Sequence, residues 1–118
     1  MKSVLMSLFA AVCLVAANDL MAAEMPALAK QDHCTDCHAI DKQIIGPSWM
    51  DVARRYKDAS EFEFKGRKYP LEEGLVMKVS KGGAGNWGTM PMPFNDPSGA
   101  KQADYQQLVR FILNLAKE

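Results

Sequence analysis

Cys34, Thr35, Asp36, Cys37 and His38 stand in succession, and no other stretch restricts the fold of the chain as strongly. Two thiols three positions apart fall on one side of a helical turn, so each can reach one vinyl edge of a single porphyrin. The imidazole that follows then lies under the iron. A Cys-x-x-Cys pair alone would serve equally well in a thiol redox centre or a zinc ribbon; the adjoining His38 narrows the reading to covalently attached haem.

Residues 1–23 read as a secretory signal, with Lys2 as the charged lead, an apolar run over residues 4–17, and Ala22 and Ala23 before Glu24. A membrane-spanning helix needs about 20 apolar residues, and Asn18 and Asp19 interrupt the run first. The expectation is therefore cleavage after Ala23, with Ala17 as an alternative site, no integral membrane span, and export to the periplasm. Fold reasoning starts near Glu24, and residues 24–118 form one small domain. Cys13 leaves with the signal, so the mature chain keeps Cys34 and Cys37 alone. An oxidising periplasm would close two free neighbouring thiols, whereas haem would cap them as thioethers.

Fourteen Lys and Arg balance fourteen Asp and Glu, and loss of Lys2 and Asp19 keeps the balance at zero. Strong attraction to nucleic acid or to anionic membrane is thus not expected. Lys65, Arg67 and Lys68 cluster, as a solvated hairpin tip would. A domain of about 95 residues buries only a modest core, and a large apolar cofactor would supply much of the missing interior.

The rest of the mature chain reads as all-α with one minor ribbon. A first helix is expected from Pro26 into the Cys34–His38 turn. After a turn-rich stretch ending in Gly46-Pro47, the spacing of Trp49, Val52, Ala53 and Tyr56 predicts a second helix. Residues 61–69 alternate as a hairpin about Lys65-Gly66, with Phe62 and Phe64 on one side. A third helix follows Pro70, with Glu72 and Glu73 in its first turn, Lys78 and Lys81 near its end, Gly82 as cap, and Leu71, Leu75 and Val79 as its buried stripe. Residues 82–95 are too rich in Gly and Pro for regular structure and form a strap. The final helix is expected over residues 99–116, capped by Ser98 or Asp96, with Tyr105, Leu108, Val109, Ile112 and Leu115 on its packing face.

Haem iron has two axial positions, and with His38 in one, the occupant of the other decides the chemistry. Met92 lies between Pro91 and Pro93, which fix the local backbone. Met90 is a competing sulfur, since side chains two positions apart in an extended strap point the same way. A methionine that merely fills a core gap is the plainer alternative for Met92. His33 reads as a surface histidine. Zinc lacks a second Cys/His pair.

The chain resembles the small bacterial class I cytochromes c, short-chain periplasmic electron donors, over essentially the whole mature sequence. The residues that carry the likeness are Cys34-x-x-Cys37-His38-Ala39-Ile40-Asp41, then Ile45-Gly46-Pro47, then Trp87-Gly88-Thr89-Met90-Pro91-Met92-Pro93 and Asn95. The resemblance implies a class I cytochrome c fold of about four short helices around one haem c. It implies thioethers on Cys34 and Cys37, His38 as proximal and Met92 as distal iron ligand, and a Pro47 carbonyl that accepts the other His38 ring N–H. It further implies that Trp87 donates to a haem propionate, that Asn95 hydrogen-bonds near the Met92 sulfur, and that Lys78 meets a propionate. The stretch over residues 61–69 is longer than in the shortest members, so the propionate side is expected to be covered differently.

An iron held by both His38 and Met92 has no open site for a substrate, so the expected role is one-electron carriage and not catalysis. The expected protein is monomeric and meets its partners briefly: an upstream donor, and a periplasmic reductase, oxidase or peroxidase. Two readings compete. One is a thiol-disulfide oxidoreductase that uses Cys34 and Cys37; the other is a five-coordinate haem protein that binds gases or acts as a peroxidase, with Met92 off the iron.

Overall fold

Four short α-helices and one two-stranded ribbon carry the regular structure of residues 23–117, the part of the chain that the computed structural model describes. The expected signal, residues 1–23, lies outside the described residues except for Ala23. Helix α1 (Ala27–Gln31) buries Ala29 completely. It stops earlier than the expected continuous helix, because His33 adopts the left-handed conformation (φ 61°) and redirects the backbone into a 3-10 turn, Cys34–Asp36.

Helix α2 (Trp49–Tyr56) starts where Ser48 Oγ accepts the Asp51 N–H at 3.0 Å, and it turns Trp49 and Ala53 inward. Strands β1 (Glu61–Phe64) and β2 (Arg67–Pro70) pair antiparallel, with Phe64 opposite Arg67. The connecting Lys65 and Gly66 both have positive φ, 49° and 79°, as a two-residue turn matched to strand twist requires. A ribbon of this size is marginal alone, and it is held by burying Phe62 and Phe64 against α3.

Helix α3 (Leu71–Lys81) runs with the charge polarity expected of it and ends at Gly82 (φ 68°), whose N–H donates to the Lys78 carbonyl at 2.8 Å. Its most buried residues are Gly74, Leu75, Val76 and Ser80, while Leu71 and Val79 are half-buried. The stripe is displaced because Phe62 lies against Gly74: a Cβ there would sit 2.7 Å from the Phe62 Cβ. Helix α4 (Gln102–Asn114) packs on both α2 and α3 through Tyr105, Leu108, Val109 and Ile112.

Helix α4 begins three residues later than expected. Residues 97–100 form a turn with Gly99 at φ 74° that swings the chain out of the strap before helix can start. Asp96 still serves the entry, since its Oδ2 accepts the Lys101 N–H and the Gln102 side-chain amide, both at 3.1 Å. Ser98 Oγ reaches only the Ala100 N–H.

Candidate functional site

In the 3-10 turn, with three residues per turn, positions i and i+3 eclipse, which suits two thiols meant for one cofactor edge. The Cys34 carbonyl accepts the N–H of Cys37 at 3.3 Å and of His38 at 2.9 Å, so one oxygen organises the whole pentapeptide. His38 Nδ1–H donates to the Pro47 carbonyl at 2.8 Å. That bond commits Nδ1 and leaves Nε2 as the ring nitrogen able to bind a metal. Gly46 lies flat against the imidazole: a Cβ there would collide with Cε1 and come within 2.9 Å of Nδ1. Its N–H donates to the Cys37 carbonyl at 2.8 Å, and the Ala39 and Ile40 carbonyls take the first N–H groups of α2. Trp49 then packs against the His38 ring, centroids 6.2 Å apart.

Across the fold, the strap is fastened at Met92. Its N–H and carbonyl exchange hydrogen bonds with Gly83 at 3.0 and 2.9 Å. Gly82 allows the approach, because a Cβ on it would strike the carbonyl oxygens of Met92 and Pro93. Met92 is half-buried, whereas Met90 is 63% exposed. Both methionines line the same cavity as Cys34, Cys37, His38 and Pro47. Its remaining walls are mostly apolar, from Trp49 and Val52 of α2, Phe62 of β1, Leu75 and Val79 of α3, and Leu108, Val109 and Ile112 of α4. It holds about 1100 Å³ of empty space, open solvent at its mouth included.

Lys78 is the one charged residue of the lining, and its Nζ donates to the Gly83 carbonyl at 2.6 Å. Burial lowers its pKa from the usual lysine range, and the nearby Lys65 charge adds to the effect. Trp87 also lines the cavity, and Arg55 lies 4.0 Å over its ring while donating to the Asn86 carbonyl at 2.6 Å. Asn86 in turn donates to the Glu63 carbonyl, which ties the loop to the ribbon. The Asn95 amide donates to the Val79 carbonyl at 3.0 Å, where the strap crosses the end of α3 and carbonyls lack helical partners. Ser80 accepts from the Asn95 and Asp96 N–H groups in the same way.

Gly46, Gly82 and Arg55 are the site residues that sequence reasoning missed in these roles. Gly46 and Gly82 sit beside Pro47 and at a helix end, which hinted at close backbone approach; nothing in the sequence pointed to Arg55. His33 is exposed and 3.7 Å from Asp36.

The residues fit a tethered haem. A wide apolar cavity, two thiols on one turn, an imidazole with one nitrogen free and a thioether carried on a pinned backbone form a donor set suited to iron in a porphyrin. They suit thiol exchange poorly. Burial pushes the Cys34 thiol up to about 11, with the Asp32 charge adding, so the nucleophilic thiolate is disfavoured. No cluster of three His, Cys, Asp or Glu side chains able to hold a metal ion occurs among the described residues, nor is any described helix long and apolar enough to cross a membrane.

Comparison with known proteins agrees with this geometry. The cytochrome c family model matches residues 22–116. Cytochrome c-551 of Allochromatium vinosum is 40% identical over 89 residues, 75% of this chain and 82% of that one. Cytochrome c-552 of Hydrogenobacter thermophilus is 38% identical over 75% of this chain and 78% of its own. The crystal structure of Nitrosomonas europaea cytochrome c552 superposes with a TM-score of 0.61 at 32% identity, covering 75% of this chain and 95% of that one. A chain matched in this way along most of its length belongs to the cytochrome c family, proteins that transfer electrons on covalently bound haem c and are not enzymes.

Proposed function

We propose that this cytochrome c is a periplasmic one-electron carrier in which Cys34 and Cys37 hold the haem by thioethers and His38 and Met92 occupy the two axial positions of the iron. The observation that carries the reading is that His38 and Met92 line one apolar cavity and that each is pinned by backbone: His38 through Pro47, Met92 through its paired hydrogen bonds to Gly83. Bound haem supplies the reversible one-electron couple of its iron.

The protein's part is to hold that couple still. The Pro47 carbonyl orients the imidazole and raises its basicity. The Met92 thioether, a soft ligand, favours the reduced metal, and the apolar walls disfavour added charge, so both raise the potential relative to ligation by two nitrogens. Ligands pinned in this manner move little between oxidation states, which keeps reorganisation small. Lys78 at the cavity wall, its charge reinforced by the nearby Lys65, favours an anion there, and the haem propionates are the anions at hand. Trp87, held beneath Arg55, is a second donor on that side. Asn95 serves the strap through Val79.

Cytochromes c act with redox partners. This one works as a monomer between an upstream donor and a periplasmic reductase, oxidase or peroxidase, in contacts below about 1,200 Å². Export rests on the signal reading of residues 1–23.

Optical spectra of the purified protein test the ligation. The oxidised form is expected to show a methionine-to-iron band that Met92→Ala abolishes and Met90→Ala keeps, and the reduced form to bind carbon monoxide slowly. Loss of the band in Met90→Ala alone reassigns the ligand. Rapid carbon monoxide binding with no band supports an open iron and a gas-binding or peroxidatic role.

A further inference from the structure

Asp32 stands between α1 and the attachment turn, and none of the roles assigned above uses it. Its side chain is 4% exposed. One carboxylate oxygen, Oδ1, lies 3.4 Å from Lys101 Nζ; the other, Oδ2, is buried and meets no hydrogen-bond donor among the described residues. Its backbone carbonyl is 3.9 Å from Cys34 Sγ, and the carboxylate, two residues from that thiol, is close enough for its charge to help raise the thiol's pKa. Burying a carboxylate with one oxygen bare is costly, and a lysine that is itself 45% exposed offsets only part of that cost.

The charge reaches into the core. Tyr105, 1% exposed on α4, has its hydroxyl pushed up to about 12, first by burial and next by the negative charge of Asp32, with Asp96 adding. Attachment of the haem needs the thiols and the imidazole but no carboxylate, and neither helix packing nor capping uses this side chain. A buried charge that keeps one oxygen bare beside its ion pair to Lys101 is expected where function requires it.

We propose that Asp32 is a potential-setting residue of this cytochrome: the negative charge buried beside the Cys34 tether stabilises oxidised over reduced haem, and Lys101 is the counter-charge that limits the effect. The inference rests on the haem reading above. Oxidised iron carries one more positive charge than reduced iron, and a fixed carboxylate in a low-dielectric corner attracts it with little screening. Thioether ligation raises the potential and Asp32 draws it back, so the pair Asp32 and Lys101 tunes the carrier between its donor and acceptor without touching either axial ligand.

The test is a spectroelectrochemical titration of the holoprotein beside Asp32→Asn and Lys101→Gln, with thermal unfolding as a check on folding. Asp32→Asn is expected to shift the reduction potential upward and Lys101→Gln downward, with the methionine-to-iron band unchanged in both. A purely structural role would move stability alone. Potentials that stay at the parent value, or that move in the same direction in both variants, overturn the proposal. Opposite shifts in a protein that shows no methionine-to-iron band would support Asp32 and sink the ligand assignment, so the two failures are distinguishable.

Discussion

A single missing methyl group positions the His38 imidazole. With Gly46 against the His38 ring, Gly46→Ala must push the ring away from the Pro47 carbonyl. The expected result is a cytochrome with a perturbed iron spectrum and a loss of roughly 1–3 kcal/mol, the usual range for overpacking, read by chemical denaturation. Gly74 makes a similar case against helix propensity. Alanine in a helix interior gains about 1 kcal/mol over glycine, but here the new Cβ would press on Phe62 at 2.7 Å, and overpacking costs as much or more. Gly74→Ala is therefore expected to lower stability; a rise would show that β1 yields freely. His33 is the opposite case. It is exposed and left-handed without a side-chain cap, so His33→Gly should relieve roughly 0.5–1 kcal/mol of strain and raise the midpoint of unfolding.

At the scale of elements, the entry to α4 carries a pH dependence. Burial opposes the Asp96 charge, but hydrogen bonds from Gln102 and from the backbone N–H of Lys101, Ala100 and Gly99 outweigh it and hold the carboxyl below the usual aspartate range. A depressed folded pKa stabilises the fold above the unfolded value near 3.9, and that contribution is lost as the pH falls through the folded value. Asp96→Asn is expected to melt earlier than the parent at neutral pH, with the two curves converging in acid. A constant gap across pH would contradict this.

The same elements show what could be read beforehand. The ribbon and α3 were legible because local signals agreed: alternating Phe62 and Phe64, a two-residue turn, acidic and basic helix ends, and a glycine stop. The break at His33 was not, since nothing local forbids helix there and only the geometry of the attachment turn demands it. The start of α4 was misplaced because Asp96 caps through a turn and not at the helix end. Arg55 reaches Asn86, 31 residues on, and the neighbouring Trp87, a pairing that no spacing rule encodes.

For the whole molecule, the site and the core are one body: Trp49, Phe62, Leu75, Leu108, Val109 and Ile112 both fill the interior and line the cavity. That is why a pentapeptide at one end made so much of the fold legible. A haem in that cavity would complete the packing of a domain too small to hold an ample core of its own. A Cys34→Ser, Cys37→Ser double variant, which cannot form thioethers, is expected to lose much of its helical circular dichroism and its cooperative melt. Retention of both would show that the polypeptide folds without haem.

The central claim is that iron is held between His38 and Met92. The most direct measurement is a proton NMR spectrum of the reduced protein with methionine methyl groups labelled. The methyl of a methionine whose sulfur binds iron sits over the porphyrin face, where the ring current moves its resonance far upfield. One such signal is expected, absent in Met92→Ala and present in Met90→Ala. No upfield methionine methyl, or one that vanishes with Met90 instead, would contradict the account.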